Sequence, residues 1–412
     1  MPRRLLRALT LFAALEVLGT SGCVRPRLPE PRARAAQAPK VDYWRELAPG
    51  EHALRKVTDP AQLPDFAAGL QDREGLLEAI ERSLSYLSKS SSRRFFPQSG
   101  IAHDQVVRSL EVARDLLRSG LSTEQLALEL RRRFDVYTSV GCDGRGTVLF
   151  TGYYTPVFEA SLERSERYRY PLHRPPEGHV KDPITGETLG LRQADGSLDP
   201  RYPDRDQLLA SGLLDGRELA WLANPFEAYL VGVQGSALLR LPDGRQMEVG
   251  YAGTNGAPYI SLGLELVRLG KLRREELSLR AMLAHFEAHP DDLAPLMAAN
   301  PRYVYFQESS GGPYGCLNEQ VTPLRSIATD KSLFPRGALC FFEAPLPPGT
   351  TRGPTPDGIA RGFALDQDAG GAIRAPGRCD LYMGTGELAG DLAGHIQAEG
   401  RLFYLILKDD QA

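Results

Sequence analysis

Three aspartates stand where a carboxyl group could serve as a proton donor. Asp368 and Asp380 lie within the run Ala360–Gly384, on either side of a Gly-Gly-Ala-Ile segment and a short Pro-Gly loop. Asp330 closes the upstream run Arg325-Ser326-Ile327-Ala328-Thr329-Asp330. Each has apolar residues close by: Ile327 and Ala328, then Ala364 and Leu365, then Leu381 and Tyr382. A carboxyl group among apolar neighbours loses solvation, so its pKa rises and it holds a proton near neutral pH, as a general acid must. Asp beside Gly is also a common turn pair, so residue type alone leaves a turn-forming role open for each.

Other residues suit ligand binding. Tyr153-Tyr154-Thr155, before Pro156, offers flat apolar faces with hydroxyl tips that fit sugar rings, or equally core aromatics. Gln234-Gly235-Ser236 offers an amide and a hydroxyl to a polar ligand, or an ordinary polar strand end. His285 and His289 are spaced i,i+4, but the order is His-Phe-Glu-Ala-His, which turns Glu287 off the face that holds both rings. No metal site is expected from them, and no cofactor motif is present: neither a Gly-rich phosphate loop nor a Gly-x-Ser-x-Gly elbow occurs. Cys142, Cys316, Cys340 and Cys379 match no zinc spacing. In an oxidising compartment they could form up to two disulfides, or remain small buried thiols.

The elements that must carry these residues are short strands with a helical flank. Apolar periodicity predicts helices over 71–88, Asp104–Arg118 and from Ser122, where Gln125 completes a capping box, to about Phe134. Strands are expected at Thr147–Phe150, Ala228–Ser236, Leu238–Leu241, Leu339–Phe342, Gly362–Leu365, Ala372-Ile373 and Leu402–Leu407. Helices are expected over Leu262–Leu269 and Glu275–Ala288, and Tyr170–Arg205 reads as a long surface excursion rich in Pro, Gly and charge. The succession of short strands points to a mainly β (α+β) chain built on a closed barrel with flanking helices.

With 412 residues the chain can hold two domains, and 25% charged residues with a net charge of −3 argue against nucleic acid as a partner. Gly (41) and Pro (31) run high, which favours turn-rich β structure. Residues 1–23 read as an export signal: arginines at 3, 4 and 7, a mainly apolar Leu9–Leu18, then small residues up to Cys23. This resembles a lipobox with Cys23 as the lipidated residue, although Thr20 stands where Leu is usual and Glu16 interrupts the apolar core. Plain secretion is the alternative. The apolar run is too short to span a bilayer. Val24 after the Cys points to the outer membrane, and residues 24–40 read as a tether.

Several strings, in order, resemble the membrane-bound lytic murein transglycosylase A (MltA) family. They are Phe150-Thr-Gly-Tyr-Tyr-Thr-Pro-Val157, Gln234-Gly-Ser236 (with Ala237 in place of a Gly), Asn300-Pro-Arg-Tyr-Val304 and the three-aspartate pattern around Asp330, Asp368 and Asp380. The resemblance spans roughly 147–408. It implies a double-psi β-barrel from 41–157 plus 304–412, with the three-aspartate (3D) domain within about 318–408. A smaller β domain is inserted at 158–303, with a glycan-holding groove between the two. The implied activity is non-hydrolytic cleavage of the β-1,4 bond between N-acetylmuramic acid and N-acetylglucosamine in peptidoglycan, leaving 1,6-anhydro ends. Asp380 matches the acid, Asp368 would tune it or orient substrate, and Asp330 would support barrel turns. Tyr153, Tyr154, Thr155, Gln234, Gly235 and Ser236 would bind glycan. No cofactor is needed, the chain would act as a monomer, and it would sit on the periplasmic face of the outer membrane through its lipid, or free in the periplasm. A hydrolytic muramidase using two aspartates and a silent peptidoglycan-binding lipoprotein are the rival readings.

Overall fold

A computed structural model describes residues 41–183, 186–350 and 357–409. The signal segment, Cys23 and the tether lie outside the described residues. From Asp42 onward the chain forms one compact unit.

Among the described residues six strands close into a ring: Val148–Thr155, Ser326–Ala328, Leu339–Ala344, Ala360–Asp368, Arg378–Thr385 and Gln397–Leu407. The last strand closes it because it is long enough to serve two neighbours. Its first part, Gln397–Gly400, pairs with Thr151–Val148, and Arg401–Tyr404 then pairs with Glu343–Cys340. The switch falls at Gly400, where a Cβ would lie 2.3 Å from Glu343 O, so only glycine lets the two backbones approach. Two pairings in the ring are parallel, Ser326–Ala328 with Ala360–Asp368 and Arg378–Thr385 with Val148–Thr155. Strands Leu54–Lys56 and Phe134–Ser139 extend the sheet from the outer part of the last strand.

Phe150, Phe341, Phe342, Phe363, Phe403, Leu365 and Leu381 fill the barrel and its outer layer, each fully buried and each stabilising by about 1.5–3 kcal/mol. Helices Leu76–Ser88, His103–Arg118 and Thr123–Arg133 pack their apolar faces on the same core, and Ser122 with Gln125 forms the expected capping box. The helical layer is also fastened by buried polar groups. Gln367 accepts from Ser326 Oγ at 2.6 Å and donates to Ala79 O at 2.7 Å, while Arg325 pairs with the Asp72 carboxylate at 2.6 Å and donates to Phe363 O. Asp366, at the barrel centre, is paired with Lys331 and accepts from Thr329 and Tyr404.

Between the first two barrel strands in sequence runs a second β layer. Among the described residues its sheet has six strands, in the order Val304–Ser309, Gln246–Thr254, Ser236–Arg240, Val157–Ser161, Glu218–Leu222, Tyr170–His173. A three-stranded sheet, His179–Lys181, Thr188–Arg192 and Leu198–Asp199, lies within the stretch expected to be a surface excursion. That expectation gave too much weight to Pro and charge.

The Ala228–Ser236 run is not a strand: Pro225–Gln234 is a helix. Asn224 Oδ1 accepts from Phe226 N at 2.8 Å, Pro225 occupies the first turn, and Gly235 closes the helix at φ 80°. These terminal signals outweigh the β-branched valines between them. Ala372-Ile373 is likewise a turn, closed by Ile373 N to Gly370 O at 3.0 Å. The helix expected from Glu275 begins at Leu279, where Ser278 caps it by accepting from Ala281 N. The four described cysteines are free thiols, with Cys142, Cys340 and Cys379 buried and Cys316 exposed. His285 bonds Asp292 Oδ2 through Nε2 at 2.8 Å.

Candidate active site

The strand Arg378–Thr385 carries the site. It runs between Ser326–Ala328 on one side and Val148–Thr155 on the other. The strand period of two places Arg378, Asp380 and Tyr382 on one face. In register, Ala328 is the partner of Asp380 on one side and of Asp368 on the other. The two acids therefore flank a single residue of a central strand, with Cα atoms about 10 Å apart at two strand spacings. Both acids line one large groove, a cavity of about 1440 Å³ that is also lined by Gln234, Gly235, Ser236 and Tyr251 from the segment between the first two barrel strands.

The two carboxyl groups are treated differently. Asp368 is saturated: Oδ1 accepts from Cys316 N at 2.9 Å and Ala369 N at 2.8 Å, and Oδ2 accepts from Tyr153 OH at 2.8 Å. Burial pushes its pKa up and these donors hold it back. Asp380 is only partly exposed, and its Oδ1 is sealed from solvent with no hydrogen-bond partner among the described residues. Burial pushes its pKa up to about 6, with the Asp368 charge adding to the rise and the Arg378 charge and Thr151 hydroxyl opposing it. A carboxyl group with that pKa keeps a useful protonated fraction near neutral pH, and the residue lines the groove where a substrate would lie.

Several neighbours shape this environment. Arg378 Nη2 donates to Thr151 Oγ1 at 3.2 Å, and Thr151 is the register partner of Asp380. The Arg378 guanidinium lies over the Trp44 ring, 4.8 Å from its centroid, and Trp44 Nε1 donates to Ala372 O at 3.2 Å. The N-terminal segment of the described chain thus straps the loop that joins the two acid strands. Tyr153 packs on Tyr382 with ring centroids 5.1 Å apart, and burial holds its phenol protonated as a donor to Asp368.

The remaining sequence candidates divide. Gln234, Gly235 and Ser236 line the groove, and Gln234 Oε1 also accepts from Tyr154 N at 3.1 Å. Tyr154 does not line it: alternation turns its ring under the helix Glu387–His395, against Gly390. Thr155 is buried below the wall, with Oγ1 3.0 Å from Tyr382 OH. Asp330 is also outside the groove lining. Its Oδ1 accepts from Ser332 N and Oγ, and its Oδ2 accepts from Ala375 N at 2.9 Å. It braces the Asp368–Asp380 loop at Ala375, whose φ is 68°. Arg378, Thr151 and Trp44 were missed in the sequence. Counting by twos from Asp380 would have found Arg378, whereas the Trp44 contact has no local signal.

Similarity to known proteins bears on this geometry. Residues 149–307 match the MltA specific insert domain and 325–406 match the 3D domain. The membrane-bound lytic murein transglycosylase A of Vibrio cholerae is 31% identical over 65% of this chain and 68% of its own length. The chain belongs to the MltA family. A crystal structure of a membrane-bound lytic murein transglycosylase from Agrobacterium tumefaciens superposes with a TM-score of 0.72 at 26% identity, covering 86% of this chain and 98% of that one. Escherichia coli MltA with bound chitohexaose superposes with a TM-score of 0.65 at 25% identity, covering 86% and 95%. Asp330, Asp368 and Asp380 all fall inside the stretch matched to the 3D domain, and Tyr153 and Gln234 inside the insert match of this MltA-family chain. Among the described residues no helix is long and apolar enough to cross a membrane.

Proposed function

We propose that this chain is a peptidoglycan lytic transglycosylase in which Asp380 acts first as acid and then as base. A glycan strand lies in the groove with the scissile oxygen at Asp380. The carboxyl proton passes to the glycosidic oxygen as the C1–O4 bond breaks, and O4 leaves with the bonding pair as an N-acetylglucosamine hydroxyl. The C6 hydroxyl of the same N-acetylmuramic acid then attacks C1, and its proton passes to the Asp380 carboxylate. The product is a 1,6-anhydro ring, water is not consumed, and Asp380 returns to its starting state. Because the nucleophile is tethered to the reacting ring, a second carboxylate to activate water is not required.

The observation that carries this reading is that Asp380 lines the groove while burial raises its pKa to about 6. Asp368, saturated by three donors, is a positioning group: through Tyr153 it fixes the ring that stacks beside Tyr382. Asp330 supports the loop. Gln234 and Ser236, which line the same groove, offer polar groups to the glycan. We read 41–157 with 304–412 as the barrel domain, its parallel pairings favouring the double-psi form, and 158–303 as the insert. The protein works at the periplasmic face of the outer membrane, held there by a lipid on Cys23.

Mass spectrometry of murein digested by the wild type and by Asp380→Asn tests the reaction. Fragments lacking one water relative to hydrolytic ends, and resistant to borohydride, are expected from the wild type alone. Reducible ends would establish a hydrolase instead, and folded protein that releases nothing would leave only the binding lipoprotein.

A further inference from the structure

The groove wall beside the acid loop carries cations that the reaction above does not use. Arg302 is partly buried, and its guanidinium lies against Gly371, where a Cβ would be 3.6 Å from its central carbon. Gly371 belongs to the loop that joins the two acid strands. Among the described residues the Arg302 side chain donates to Ala257 O at 3.1 Å, and no carboxylate pairs with it. Arg374 belongs to the same loop as Gly371, and its charge adds to the effect of burial in lowering the Arg302 pKa. Arg374 is 62% exposed, and its nearest acid is Asp330 Oδ1 at 4.0 Å. That oxygen already accepts from Ser332 N and Oγ. A third guanidinium, Arg205, lies over the Tyr229 and Tyr303 rings at 5.2 Å from each centroid, beside the backbone of Arg302. All three line the groove.

Two like charges, one of them partly desolvated and without an acid, are an unfavourable arrangement that an anion would relieve. Guanidinium forks match a carboxylate in charge and shape. We propose that Arg302 and Arg374 form a carboxylate subsite of the groove, a role that rests on the peptidoglycan reading above. The sugar rings of the glycan are neutral, so its acid must come from the lactyl arm of muramic acid. Two sources share that chemistry: the free lactyl carboxylate of glycan stripped of its peptide, and a carboxylate on an attached peptide stem.

Binding is measured by calorimetry in the Asp380→Asn protein, so that turnover does not enter. The probes are chitohexaose, which has no lactyl arm, a peptide-free muramyl oligosaccharide, and the same oligosaccharide with stems. A hydrogen-bonded charge pair of this kind gives about tenfold or more in affinity. The carboxylate-bearing glycans are therefore expected to bind at least about tenfold tighter than chitohexaose, and Arg302→Gln or Arg374→Gln is expected to collapse that ratio. Arg374 is exposed, so its variant reports even if Arg302→Gln does not fold. Collapse for the peptide-free glycan identifies the lactyl carboxylate, and collapse only for the stem-bearing glycan identifies the peptide. Equal binding of all three probes, or a ratio that neither variant moves, overturns the subsite. The 1,6-anhydro product test is independent: reducible products with an intact binding ratio would sink the transglycosylase reading and leave the subsite standing.

Discussion

Replacing Asp380 by Asn removes the proposed acid and should also stabilise the fold. The carboxyl group moves from an ordinary pKa of 3.8 to about 6 when the chain folds. The folded state therefore holds its proton more tightly than the unfolded state does. Stability from this proton is fully present below about pH 4 and is lost as pH rises through about 6. At 1.36 kcal/mol per unit, the rise of roughly two units corresponds to about 3 kcal/mol of lost stability at neutral pH. Asn keeps the shape but carries no charge, so it escapes that loss. The polar atom without a partner is present in both proteins, so its cost cancels in the comparison. The net expectation is a variant more stable than the wild type by about 3 kcal/mol at pH 7, with no advantage at pH 4. Urea unfolding at pH 4, 5, 6 and 7 measures it, and folding must be reversible in both proteins. Parallel stability curves for the two proteins across that range would refute the desolvated-acid reasoning, and with it the main reason for choosing Asp380.

Activity should fall as pH rises above about 6, because the leaving oxygen needs the protonated form of Asp380. Arg378→Gln removes a charge that lowers this pKa, so the alkaline limb of the pH profile should move upward by a fraction of a unit to about one unit; an unmoved limb would show that Arg378 is purely structural. Tyr153→Phe deletes a donor to Asp368 and should reduce kcat/KM by about tenfold or more while circular dichroism stays unchanged. Gly400→Ala forces a Cβ to within 2.3 Å of Glu343 O and should cost about 3 kcal/mol, read as a fall in thermal midpoint; an unchanged midpoint would mean that the barrel seam is not closed there. With the four described cysteines all free, reductant should leave the thermal midpoint unchanged.

The legible part of this chain was the part written in local rules. The capping box at Ser122, the helix faces of Leu76, Ile80, Val106 and Leu110, and the apolar strands around Phe341 and Leu405 follow from periodicity and end signals. Asp368 and Asp380 were visible through their apolar neighbours, and both line the groove. The misreadings arose where two local signals conflicted. Valines at 231 and 233 favoured a strand, yet Asn224-Pro225 and Gly235 set the ends of a helix. Tyr153 and Tyr154 looked equivalent as neighbours, but strand alternation sends one to the groove and the other beneath a helix. Long-range partners left no trace in the sequence. The cover of Trp44 on Arg378 and the Lys331–Asp366 pair join residues far apart in the chain.

Four aspartates near the barrel strands show how one residue type is assigned different work by the donors around it. Asp366 sits in the core and is balanced by Lys331, Thr329 and Tyr404, which makes it a fastening point. Asp330 spends both oxygens on backbone and hydroxyl donors of its own turn and of the Ala375 loop. Asp368 is filled by two amides and a phenol. Only Asp380, among these four, retains a buried oxygen without a donor. Supplying one would be easy on physical grounds, since a hydroxyl at a facing position would satisfy the oxygen, lower the pKa and stabilise the fold. Such a donor would also remove the proton that a glycosidic oxygen needs. The arrangement therefore makes sense as an acid kept protonated by desolvation, and a purely structural role for Asp380 would leave the cost of that unpaired oxygen unexplained.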